Sequence, residues 1–180
     1  MSGTPAGAGE ETSGRGMAPV AAAWLLTLGV DLFLHAGLLA RLYVEPSSFL
    51  LPAESAFRRI PAGYATFLLL TVALWWLQRR LGVRGCGPGL RFGLAAGLVV
   101  WGSLALGLYS ISTASPALLV GWWIGQGVEL GAAGAVLGAA AVGTPMRRIW
   151  GRVLLIVLLL VAVTVTMQSV GLAPAMRVAG

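Results

Sequence analysis

Five stretches of this chain run for 18 residues or more with hardly a charge, and each closes at an arginine pair, a proline or a glycine-rich turn. They cover residues 18–44, 61–78, 89–112, 117–142 and 149–170. A helix rises about 1.5 Å per residue, so about 20 apolar residues cross the hydrocarbon core of a bilayer. Backbone amides cannot stay unpaired in lipid, and each run must therefore be a helix or belong to a closed barrel. None of the runs alternates apolar and polar positions, which decides for helices. The pattern predicts an all-α, polytopic membrane bundle of five transmembrane helices, a single unit over residues 18–171.

What lies between the runs is also patterned. Residues 1–17, rich in Gly, Ser, Thr, Ala and Glu, read as a disordered tail, and residues 172–180 as a short C-terminal one. Glu10 and Glu11 spoil the basic start of a signal peptide, and the apolar run behind them is too long for one. In the first loop Leu50, Ala53, Phe57 and Ile60 recur at helical spacing, with Glu54 four residues before Arg58. That predicts a short interfacial helix, opened by Pro52 and bounded by Pro61.

Composition sharpens the class. Only 10% of the 180 residues are charged and 58% are hydrophobic, with a mean hydropathy of +0.88. Soluble domains carry about a quarter charged residues, so a disordered chain, a nucleic-acid-binding domain and an ordinary soluble enzyme are excluded. The net charge of +6 comes from arginines set between the runs, where it orients the protein. Arg15, Arg79, Arg80, Arg84, Arg91, Arg147, Arg148 and Arg152 fall on one side; Arg41, Arg58, Arg59 and Arg177 fall on the other. Eight against four predicts a cytoplasmic N-terminus and an external C-terminus. Cys86 is alone, so no disulfide or thiolate cluster forms within the chain, and no cofactor motif is present. The glycine-rich loop 82–89 lacks the Lys-Ser/Thr of a phosphate-binding loop and reads as a positively charged turn.

Glycines mark the helix contacts. Gly89, Gly93 and Gly97 repeat every four residues on the third run. Gly121, Gly125, Gly127, Gly131, Gly134 and Gly138 line the fourth. Small residues at such spacing let helix backbones approach in lipid, where no hydrophobic force drives association. The two runs are expected to pair antiparallel at the centre of the bundle, with the fifth run, glycine-free from Val153 to Val163, facing lipid. Docking of a second copy or a membrane-protein partner through the same stripes is the alternative use.

Three acidic or imidazole side chains fall inside the runs: Asp31, His35 and Glu129. Each costs a few kcal/mol at the bilayer centre unless paired or hydrated, which makes each a candidate for function. Asp31 and His35 are four apart and share a helix face, while Gln126 and Glu129 are three apart on the fourth run. If those two helices touch, the four residues form one polar cluster near the midplane, which Thr164 and Gln168 of the fifth run could join. Such a cluster suits binding or conduction of a small solute or a proton. Its bland counterpart is a hydrogen bond between helices. Metal ligation is the lesser expectation, because three donors on two helices are few and no Glu-x-x-His motif is present. No catalytic residue is assigned.

The helix start Gly89-Leu90-Arg91-Phe92-Gly93-Leu94, with Gly97, Tyr109, Pro116, Trp122 or Trp123 and the glycine-rich stretch 131–138, is similar to a group of small, uncharacterised bacterial inner-membrane proteins. Asp31, Leu38-Leu39 and Tyr43 in the first run share the resemblance. It implies a multi-pass protein of the bacterial inner membrane and no particular chemistry. A binding or conducting protein is the first expectation, and a non-catalytic accessory or scaffold subunit the second.

Overall fold

In a computed structural model that describes residues 13–44 and 48–174, the chain is helical nearly throughout. The expected terminal tails lie mostly outside the described residues, although helix already begins at Ser13 rather than near residue 18. The elements are α1 (Ser13–Phe33), a π-helical turn (Leu34–Leu38), α2 (Arg41–Val44), α3 (Ala53–Arg80), α4 (Cys86–Ile111), α5 (Pro116–Ala141) and α6 (Met146–Ser169). Five segments are long and apolar enough to cross a membrane, and each overlaps one of the five runs, although the first span ends at Leu38, with a turn before α2, and the second opens at Glu54.

Local chemistry sets the breaks. The Ser115 side chain accepts from Leu118 N at 3.3 Å and Pro116 follows it, so α5 opens on a capped, proline-started turn. Gly85 takes φ +94°, a value that favours glycine, and its N–H donates to Gly138 O at 2.8 Å. The basic loop is thereby pinned against the end of α5. The amphipathic stretch after Pro52 is helical, as its spacing requires, but it runs on through Pro61 into the second span as one helix. Proline removes one backbone bond there, and the helix continues across it.

α5 is the axis of the bundle. Its buried residues run from Leu118 to Gly138, on several faces, whereas the buried residues of α4 are Gly89, Gly93 and Gly97 alone. The antiparallel glycine pair therefore forms as expected, with one correction: α5 is central and α4 packs on it from outside. A Cβ on Gly89 would fall on the carbonyl oxygen of Gly134, and one on Gly93 on that of Leu130. α1 and α3 cover other faces of α5, and α6 packs mainly on α1, showing Leu154, Leu155, Leu158 and Leu159 outward. An apolar core of Val20, Ala23, Leu26, Leu74, Leu137 and Val153 fills the half of the bundle nearer the arginine-rich loops. Asp31, His35 and Glu129 lie beyond it, while Gln78 is buried at the arginine-rich end, donating to Gly89 O and Gly134 O.

Candidate functional site

α1 and α5 are neighbours, and their ionisable side chains meet. His35 Nε2 lies 3.5 Å from Asp31 Oδ1 on its own helix and 3.4 Å from Glu129 Oε1 across the interface. Asp31 and His35 keep 20% and 18% of their side-chain surface, while Glu129 keeps none. The cluster therefore has a closed side, made by α5, and an accessible side, made by α1. Apart from the 3.4 Å approach of His35, neither carboxylate oxygen of Glu129 finds a hydrogen-bond partner among the described residues, and Gln126 Oε1, one turn back on the same helix, is also buried without one. Unpaired buried acceptors in lipid are costly.

The far side of the imidazole is held by a chain of donors. Trp122 Nε1–H donates to the hydroxyl of Tyr43, and that hydroxyl contacts His35 Nδ1. The indole can only donate, so it takes a lone pair of the Tyr43 oxygen and leaves the phenolic proton free to donate to Nδ1. Neutral His35 then carries its own proton on Nε2, the atom between the two carboxylates. Tyr43 also meets the imidazole edge to face, with centroids 5.4 Å apart. Phe49 packs near the Trp122 ring, and Ser48 Oγ bonds Thr113 Oγ1 at 3.0 Å, so the two loops at this end are tied together above the site.

The backbone under His35 is widened. Leu39 N bonds Leu34 O at 2.7 Å, the five-residue step of a π turn. One extra residue per turn brings position 43 back toward the face of position 35 two turns later. Gln168 Nε2 donates to Ala36 O at 3.0 Å, satisfying a carbonyl within that turn. Thr164 is buried but bonds its own Leu160 O, and it lines the side of Gly37 rather than the carboxylates. Thr27 and Trp24, which continue the Asp31–His35 stripe in sequence, bond Ala23 O and Tyr64 O instead.

Comparison with protein families, curated proteins and solved structures finds no match. What this site does must therefore be read from its own atoms.

Of the sequence candidates, Asp31, His35 and Glu129 converge, and Gln126 shares the buried face of Glu129. Tyr43 and Trp122 escape a search for charges because neither is ionised near neutral pH. Spacing does contain a trace of Trp122: residues 122, 126 and 129 follow the four-and-three rhythm of one helix face. Tyr43 needs the π turn, which no sequence period announces.

Proposed function

We propose that this is a multi-pass protein of the bacterial inner membrane that binds or passes a small solute or a proton at Asp31, His35 and Glu129. The observation that carries this reading is the fully buried Glu129 carboxylate, unpartnered and turned toward an imidazole whose other nitrogen is already engaged. A helix pair needing only adhesion does not require it, since the α4–α5 glycine contact supplies close packing without charge. The π turn at His35 adds support, because such turns collect at functional sites. The scaffold reading draws less support: the stripe of Gly89, Gly93 and Gly97 that would dock a partner is covered by α5 of the same chain.

Purified protein in liposomes with a trapped pH-sensitive dye tests the reading for protons, and substitution of external buffer ions extends it to small solutes. Wild-type flux above that of empty liposomes, abolished in D31N and E129Q variants of unchanged helix content, is the expected result. Equal flux in wild type and both variants would remove the conducting role.

A further inference from the structure

We infer that the same cluster is a binding site for a divalent first-row transition cation of the Zn2+ or Mn2+ kind, with Asp31, His35 and Glu129 as its protein ligands. The inference rests on the reading of the cluster as a working polar site and names what it takes.

Geometry is the first support. Ligand atoms of the three residues lie within 4.8 Å of one another, and two of the separations are 3.4 and 3.5 Å. Zinc bonds to imidazole nitrogen and carboxylate oxygen are about 2.0–2.2 Å, which sets tetrahedral ligand–ligand edges at about 3.3–3.6 Å. The His35 edges already fit, and a side-chain rotation of Asp31 closes the third. Charge is the second support. Among the described residues His35 is the only basic group within 4 Å of either carboxylate. Two carboxylates and a neutral imidazole carry a charge of −2, and a divalent cation cancels it in a medium that penalises any residual charge. The third support is Glu129, whose fully buried carboxylate has no hydrogen-bond partner among the described residues and is aimed at the cluster.

Donor chemistry narrows the ion. One imidazole with two carboxylates suits zinc or manganese better than magnesium or calcium, which prefer oxygen throughout. The exposed Cys86 starts α4 at the other end of the bundle, so no thiolate pulls the site toward soft ions. Tyr43 and Trp122 occupy the place of the outer partners that orient a metal-bound histidine. Metal at Nε2 moves the imidazole proton to Nδ1, which then donates to the Tyr43 oxygen, and the phenolic proton turns away from the ring. The imidazole keeps its single proton in this exchange, so no proton leaves the site when both carboxylates are ionised, and one leaves for each carboxylate that was protonated. The partly exposed Asp31–His35 side provides the entry.

The chain contains a single histidine, so 15N-histidine labelling reports this site alone, provided the purification tag contains none. Metal-stripped protein in micelles is dialysed against Zn2+ in the presence of excess Mg2+, bound zinc is measured by mass spectrometry, and the 15N spectrum is recorded before and after. The expected result is one Zn2+ per chain and loss of the Nε2–H signal with gain of Nδ1–H. D31N and E129Q should weaken binding by about 100-fold or more, and Y43F, which leaves all three ligands in place, by about 10-fold. Absence of bound zinc, zinc bound with an unchanged His35 spectrum, or wild-type affinity in both carboxylate variants overturns the inference. The metal-free spectra separate the two readings. If zinc fails to bind but E129Q and D31N still shift the His35 resonances, the broader polar site survives without the metal. If they shift nothing, both fall.

Discussion

At the scale of single residues, the orientation of one imidazole proton is the main consequence of the site. His35 stands between two carboxylates on one side and Tyr43 on the other, and Trp122 donates to the Tyr43 oxygen. Tyr43→Phe removes the donor to Nδ1 and also leaves the Trp122 N–H unsatisfied, a cost of about 1–3 kcal/mol. The metal-free 15N spectrum of Y43F should show a mixture of Nδ1–H and Nε2–H forms in place of the single Nε2–H form. Trp122→Phe should not, because Tyr43 keeps its proton for His35. A Y43F spectrum identical to wild type would mean that the carboxylates alone set the tautomer. The charged members of this site were legible in the sequence, since Asp31, His35 and Glu129 are the only Asp, Glu or His residues inside the runs. The neutral members were not, because aromatic residues near helix ends read as interface anchors until their partners are known.

At the scale of elements, glycine does in lipid what apolar burial does in water. The α4 backbone touches α5 so closely that Gly89, Gly93 and Gly97 have no room for a methyl group, whereas Gly107 on the same helix meets nothing within 4 Å. Gly93→Ala should therefore lower stability by about 1–3 kcal/mol, the usual cost of overpacking. Gly107→Ala should be neutral or up to about 1 kcal/mol stabilising, through better helix propensity. Unfolding midpoints in detergent compare the two directly, and equal effects would refute the close contact. The four-residue glycine spacing made the α4–α5 pairing readable before any coordinates. Centrality was not readable from it, because a glycine stripe says how close two helices come and not how many others surround each. What makes α5 central is that it has two working faces: Gly127, Gly131, Gly134 and Gly138 toward α4, and Gly121, Gly125 and Glu129 toward the π turn and α2 that follow α1. Pro61 misled in the opposite way. Proline marks a probable boundary in water, but a span with no competing hydrogen-bond partners in lipid keeps its helix across it.

At the scale of the whole molecule, the two ends of the bundle differ in charge and the site lies on one side of that difference. Arg79, Arg80, Arg84, Arg91, Arg147, Arg148 and Arg152 cluster around the α3–α4 and α5–α6 connections. There Arg79 lies 4.9 Å from the Trp75 ring and Arg80 5.6 Å from that of Trp76, a pairing suited to headgroup depth. The polar cluster lies toward the opposite end, beneath the Ser48–Thr113 contact. The positive-inside rule predicts that the entry to Asp31 and His35 lies on the external face. Cys86 provides a native test, being the single cysteine, exposed, and at the arginine-rich end. A membrane-impermeant maleimide should label it in inside-out vesicles and leave it untouched in intact spheroplasts. The reverse pattern would turn the bundle over and make the site a cytoplasmic-facing one. Its ligand chemistry would stand, since that depends on three side chains and not on direction, but the pool from which the cation is drawn would change from the exterior to the cytoplasm.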